Sequence, residues 1–129
     1  MEQEVMFLPS SDWRPPESFP DTFGLKSFAI DLETKDPKLK SMGSGEIRGD
    51  GFPVGIAYSD SNFTGYYPFG HEAGGNMDRE TVLSFFGKLC ENPEIEKIGH
   101  NIVYDISWLK TLGIKCRGPL RDTMTAEAL

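Results

Sequence analysis

The amino-acid sequence predicts an α/β fold in which helices flank a mixed β-sheet. Three observations support this prediction. Residues 27–33 form a strand pattern with an apolar inner part, and residues 54–59 and 63–69 form two more strand patterns joined by a short polar turn. From residue 78 onward, helical and strand periods alternate along the chain. The predicted order is therefore β, ββ, α, β, α, β and the start of another helix.

Two segments in the first half of the chain are predicted to lack regular structure because they are rich in proline or glycine. Residues 1–24 are rich in proline and predict an extended arm, either draped on or trailing from a domain at residues 25–129. Residues 43–51 are rich in glycine and predict a loop after the first strand.

Later elements begin and end at clear signals. Asp78 is suited to cap a helix that stops at Asn92-Pro93, and Gly113 is suited to terminate a second helix. The remaining predicted segments are a strand at residues 95–98, the second helix at about 101–112, a strand at about 119–121 and the start of a third helix at about residue 122.

Composition and charge exclude some classes of protein for this chain. With 38% hydrophobic residues the chain is too apolar for a disordered tail, and it has neither an apolar run that could span a membrane nor a basic leader. Cys90 and Cys116 look isolated and are expected to stay reduced, which favours a cytoplasmic location. The net charge of −7 argues against a nucleic acid as the binding partner. However, residues 26–51 and residues 93–129 each have a net charge of zero. The acidic total therefore does not exclude a DNA partner.

Asp31 and Glu33 are the first candidate site residues. Residues two apart in a strand point to the same face, so these carboxylates lie side by side and repel each other unless a cation intervenes. Hard oxygen ligands of this kind suit Mg²⁺ or Mn²⁺. The alternative is that the strand ends at Asp31 and that both acids are simply solvated.

A second polar cluster lies at the start of the second helix. Asn101 and Asp105 are four residues apart and share one helix face. A carboxylate on a helix facing two on a strand is an arrangement that two-metal phosphoryl transfer requires. Alternatively, Asn101 is an ordinary N-cap and Tyr104 a half-buried core aromatic.

The loop after the first strand is locally basic. Its cations are either ordinary solvated charges or contacts to the phosphates of a substrate strand. These residues are Lys35, Lys38, Lys40 and Arg48.

Three segments together resemble a known family: FAIDLET (28–34), KIGHNIVYD (97–105) and RDTM (121–124). They are similar, over about residues 26–129, to the 3′–5′ exonuclease domain of family A DNA polymerases, and most similar to its phage-type members. That domain belongs to the DnaQ-like (DEDD) exonucleases and has an RNase H-like fold.

The resemblance implies roles for individual residues. Asp31, Glu33 and Asp105 would hold two Mg²⁺ or Mn²⁺ ions and carry catalysis. Asp122 would be structural and cap the next helix. The residues implied to lie near the terminal nucleotide, or to orient the ligands, are Thr34, Asn101 and Tyr104.

The family's third motif, Y-x-x-x-D or H-x-x-x-D on a later helix, has no match in these 129 residues. Neither His71 nor His100 supplies it. We therefore expect the N-terminal portion of an exonuclease domain, with an incomplete metal site and little or no activity alone. An incomplete domain could also self-associate.

The expected substrate is the 3′ end of single-stranded DNA, hydrolysed during proofreading beside a polymerase domain. Two alternatives remain open. One is an RNase D-like exonuclease acting on RNA 3′ ends. The other is a non-catalytic module that binds nucleic acid or docks on a partner.

Overall fold

The computed structural model describes residues 13–42, 45 and 49–128. Within those residues it contains five strands and four helices. In chain order they are β1 (Ser27–Lys35), α1 (Leu39–Met42), β2 (Phe52–Ser59), β3 (Thr64–Pro68), α2 (Arg79–Glu91), β4 (Glu96–Gly99), α3 (Ile102–Thr111), β5 (Leu120–Asp122) and α4 (Thr123–Ala128).

The strands form one mixed sheet in the order β3-β2-β1-β4-β5. β1 pairs antiparallel with β2, and β2 pairs antiparallel with β3. β4 lies parallel to β1 and to β5, with α3 crossing between β4 and β5. The predicted mixed-sheet α/β fold is confirmed.

Local chemistry explains where the predicted elements start and stop. The turn between β2 and β3 is closed by Asp60, whose Oδ1 accepts hydrogen bonds from two backbone N–H groups of that turn. Asp78 caps α2 as predicted, because its Oδ2 accepts from the backbone N–H of Thr81 at 2.9 Å. α3 is followed by Gly113, which has a φ of +83° and so terminates the helix.

Two details of the first half differ from the sequence prediction. β1 runs two residues further than expected, to Lys35, with a register shift between Glu33 and Thr34. The short helix α1 lies in a segment predicted as loop. Its four residues carry too little periodicity to be recognised from sequence.

The hydrophobic core lies on one face of the sheet. β1 contributes Phe28, Ile30 and Leu32, which alternate with less buried residues as a strand requires. α2 and α3 pack their apolar sides into the same cluster, with Phe86 and Trp108 among its largest members. The opposite face of β1 carries Asp31 and Glu33, and both are exposed.

The described part of the arm, residues 13–24, lies on the domain rather than trailing from it. Phe19 stacks on Tyr67 and Phe85 with ring centroids 5.1 and 4.3 Å apart. The Tyr67 hydroxyl also donates to the Ser18 carbonyl at 3.2 Å. The division into an arm at 1–24 and a domain at 25–129 stays a prediction.

The two cysteines are free thiols. The sequence suggested that they are isolated from each other, but in the structure they are in contact. The backbone N–H of Arg117 donates to the Cys90 carbonyl at 2.9 Å, and this bond draws the segment after α3 against α2. The Cys90 thiol hydrogen-bonds to Cys116 and lowers its pKa.

None of the helices in the described residues is long and apolar enough to cross a bilayer.

Candidate active site

The two carboxylates of β1 lie side by side on the open face of the sheet. In the register with β2, Asp31 is opposite Ala57 and Glu33 is opposite Gly55. Both carboxylates are exposed. A groove of about 500 Å³ runs beside Asp31, lined among others by Ala29, Ala57 and Thr64.

Asp105 joins the helix to the strand between those carboxylates. Its side chain is only 2% exposed, and its Oδ1 accepts from the backbone N–H of Leu32 at 3.0 Å. Leu32 is the residue between Asp31 and Glu33, so this hydrogen bond fixes α3 against the part of β1 that carries the candidate ligands.

The electrostatics of Asp105 show that it shares its surroundings with other acids. The pKa of Asp105 is raised to about 6, first by burial and then by the charges of Asp31, Asp122 and Glu33, while the Leu32 N–H acts in the opposite direction. No lysine or arginine of the described residues forms an ion pair with Asp105. A cation at this position would relieve the repulsion.

The donor set fits a divalent metal by its chemistry, since carboxylate oxygens are what Mg²⁺ and Mn²⁺ prefer. In the part of the chain that the structure describes, however, no three Asp, Glu, His or Cys side chains converge closely enough to hold a metal ion.

Thr34 and Tyr104 are brought together beside the carboxylates. The Thr34 Oγ1 and the Tyr104 hydroxyl are 2.9 Å apart, and Tyr104 also donates to Asp36 Oδ2 at 3.4 Å. Tyr104 is half-buried and lies edge-to-face against Trp108, with centroids 6.2 Å apart. It therefore has the surroundings of a core aromatic while its hydroxyl reaches the end of β1.

Asn101 occupies the N-cap position of α3, as the sequence suggested, but its side chain does not cap the helix. Its backbone is left-handed, with φ 60° and ψ 56°, and its side chain makes no capping hydrogen bond. The side-chain hydrogen bonds come from Asp122 instead. Its Oδ1 accepts from the backbone N–H of Asn101 at 2.9 Å and of Met124 at 3.0 Å. The structural role implied for Asp122 is confirmed, and it ties the starts of α3 and α4 together.

The candidate phosphate-binding cations are only partly described. Lys35 is exposed and forms an ion pair with Glu72, and Lys38 is exposed just before α1. The side chain of Lys40 and the whole of Arg48 lie outside the described residues.

Sequence reasoning missed an aromatic pair next to Glu33. The Tyr66 hydroxyl and His71 Nε2 are 2.5 Å apart. Burial, and to a smaller extent the charge of Glu33, raises the pKa of Tyr66. The other histidine, His100, contacts the Thr123 hydroxyl at 3.1 Å. The available signal was Gly55, because a lone glycine inside a strand marks a close approach by another group.

Comparison with known proteins defines the class. Residues 23–129 match a family model described as 3′–5′ exonuclease. The chain belongs to this 3′–5′ exonuclease family, as its resemblance to the exonuclease domain of family A DNA polymerases predicted.

One relative extends this assignment. The chain is 36% identical over 126 residues to a DNA-directed DNA polymerase of Pseudomonas phage M6. The match covers 93% of this chain and 19% of the phage protein, so the chain spans about a fifth of the length of that relative.

Solved structures support the fold. Brucella melitensis NrnC matches with a TM-score of 0.56 and 21% identity, over 85% of this chain and 48% of NrnC. NrnC with bound Mg²⁺ matches with the same TM-score and 22% identity, over 84% and 46%. The DnaQ-like, RNase H-like fold predicted from the sequence is thereby confirmed.

Proposed function

We propose that this domain removes nucleotides from the 3′ end of single-stranded DNA by metal-dependent hydrolysis, in the proofreading role. The observation that carries the proposal is the placement of Asp105, buried and bonded to the backbone of Leu32 between Asp31 and Glu33. The charges of Asp31 and Glu33 also act on Asp105, and a bound cation would relieve their repulsion.

Asp31, Glu33 and Asp105 would hold the divalent cations, of which Mg²⁺ and Mn²⁺ are the candidates. Bound there, such cations lower the pKa of water and stabilise charge on the leaving oxygen. The presence of Mg²⁺ in a solved neighbour of the same fold supports this choice.

The chain's own residues would position the substrate. The groove beside Asp31, at about 500 Å³, has a size typical of small-molecule sites and would receive the terminal nucleotide. The bonded hydroxyls of Thr34 and Tyr104 would orient that nucleotide or the ligands. Exposed Lys35 and Lys38 would contact phosphates of the strand, and we assign the same role to Lys40 and Arg48 from sequence. Asn101, exposed at the start of α3, would lie nearby.

DNA is favoured over RNA because the phage relative is a DNA-directed DNA polymerase. On the same ground we propose that a polymerase domain accompanies this domain in a longer protein, in the cytoplasm of a bacterial or phage-infected cell. RNA remains the second candidate substrate, since no residue has been assigned to a 2′-hydroxyl. Since the family's fourth carboxylate is not among these 129 residues, we expect cleavage by this chain alone to be weak or absent.

Metal binding is tested by titrating Mn²⁺ into the wild-type chain, Asp31→Ala and Glu94→Ala while heat is measured. Glu94 is an exposed acid in the turn before β4 and serves as the matched control. We expect heat from wild type and Glu94→Ala and its loss in Asp31→Ala. Equal heats from wild type and Asp31→Ala would contradict the metal site.

Cleavage is tested separately on labelled single-stranded DNA and RNA of the same sequence. Activity that survives Asp105→Ala would show that the site is wrongly placed. Preferential cleavage of RNA would favour the RNA exonuclease, whereas DNA binding without heat from Mn²⁺ would favour the non-catalytic module.

A further inference from the structure

An exposed tryptophan lies near the candidate active site. Trp13 of the arm is 54% exposed and packs on Tyr66 of β3, with ring centroids 6.0 Å apart and an interplanar angle of 47°. Tyr66 pairs with Ala57 across the sheet, and Ala57 in turn pairs with Asp31. The two rings therefore share the open face with the candidate metal ligands.

Tyr66 lies across β2 toward Glu33 because Gly55 leaves room for it. A Cβ atom at position 55 would be 2.0 Å from the Tyr66 hydroxyl oxygen and 2.4 Å from the ring carbon that carries it. Gly55 is the register partner of Glu33. The tyrosine hydroxyl thus reaches the strand position beside the carboxylate, while its ring spans the neighbouring strand.

The Tyr66 ring is held in that position by the loop after β3. His71 Nε2 lies 2.5 Å from its hydroxyl, and Asn76 fixes His71 through bonds to its backbone N–H (2.8 Å) and carbonyl (2.9 Å). The ion pair between Glu72 and Lys35 ties the same loop to the end of β1. An aromatic ring fixed in this way loses little conformational entropy when a ligand packs on it.

The arm is anchored close behind Trp13. Phe19 is stacked into the core cluster, and Pro16 lies against Gly65, with its Cγ 3.2 Å from where a Cβ on that residue would be. Trp13 is thus held beside β3 by its contact with Tyr66 and by the anchoring of the arm at Pro16 and Phe19, yet more than half of its surface is left to solvent.

We propose that Trp13 and Tyr66 form a stacking platform for the bases of the single strand whose 3′ end enters the site. The proposal rests on the proposed function and names how this domain engages its DNA. Every base has an apolar π-face, so aromatic platforms bind single strands without regard to sequence. A proofreading site needs that tolerance, because it must accept any terminal sequence. The platform also supplies binding that net charge cannot, since the chain carries −7.

The test measures the anisotropy of a 5′-labelled oligothymidylate in EDTA, so that metal binding does not contribute. The proteins are wild type, Trp13→Ala, Trp13→Phe and the control Phe23→Ala, each checked for folding by circular dichroism. Phe23 is also an exposed aromatic of the arm, at 97% exposure, and it lines a cavity at the start of β1, away from Asp31 and Glu33. We expect affinity to fall on the order of ten-fold in Trp13→Ala, less in Trp13→Phe, and not at all in Phe23→Ala.

Intrinsic fluorescence gives a second measurement. The chain has two tryptophans, and Trp108 is only 2% exposed, so quenching by unlabelled oligonucleotide reports on Trp13. Strong quenching in a Trp108→Phe variant supports stacking. Folded Trp13→Ala that binds as tightly as wild type, or wild type that binds no oligonucleotide, would overturn the platform.

The platform and the metal site fail independently. Loss of affinity in Trp13→Ala with unchanged Mn²⁺ heats supports a platform distinct from the ligands. Equal Mn²⁺ heats in wild type and Asp31→Ala would remove the metal proposal while the EDTA binding result still decides the platform.

Discussion

Asp105→Asn should make the domain more stable at neutral pH. Asp105 is 2% exposed, and its Oδ1 accepts from the Leu32 N–H. Asparagine keeps an acceptor oxygen of the same reach and removes the charge. The substitution therefore separates the cost of a buried negative charge from the value of the hydrogen bond.

The magnitude follows from the pKa of Asp105, which burial and its acidic neighbours raise from 3.8 to about 6. Between these values the folded chain binds more protons than the unfolded chain, so the free energy of unfolding falls as pH rises through this window. The difference of 2.2 pH units, at about 1.4 kcal/mol each, gives about 3 kcal/mol at pH 7.5. Near pH 3.5 the two proteins should be equally stable.

Urea unfolding followed by circular dichroism at pH 3.5, 5 and 7.5 measures this difference, with Glu94→Gln as an exposed control. Mn²⁺ should stabilise the wild type and not the Asp105→Asn variant, so saturating metal narrows the gap at pH 7.5. If Asp105→Asn were less stable than wild type at pH 7.5, or if the difference did not change with pH, the reasoning would be refuted.

Two further predictions concern the buried polar cluster behind α2. Lys97 is fully buried and donates to the carbonyls of Asn92 and Arg117 at 2.5 Å each. Lys97→Met should therefore lower the free energy of unfolding by about 2–4 kcal/mol. An unchanged urea midpoint would contradict this prediction. Cys116 should react with iodoacetamide faster than Cys90 in timed mass-spectrometric mapping. The reason is that Cys90 is fully buried, whereas the Cys90 thiol and the Lys97 charge lower the pKa of Cys116. Equal labelling of both thiols would refute this prediction.

Most of the fold was predictable because its signals are local. The alternation of buried and exposed side chains gave β1, and the helical period after Asp78 gave α2 with its cap. The missed element, α1, spans four residues in a basic, glycine-containing segment. Four residues are too few to show a helical period.

The placement of the candidate site residues was predictable only where one motif supplied them. Asp31 and Glu33 share a face because of strand geometry, and Asp105 was implied by the family resemblance. The left-handed backbone of Asn101 was not predictable, since it depends on Asp122 accepting its N–H from 21 residues away. The position of the Tyr66 hydroxyl over Gly55 likewise depends on the register between two strands.

The hydrogen bond from Leu32 to Asp105 also bears on how an inactive form of this domain should be made. β4 pairs with β1 only as far as Ala29, so the later part of β1 is bordered on that side by Asp105 rather than by a strand. Removing the carboxylate with alanine would leave the buried N–H of Leu32 without its acceptor, which lowers the free energy of unfolding. Asparagine keeps an acceptor oxygen for that N–H. It is therefore the better choice for a nuclease-dead protein that must stay folded when mixed with DNA.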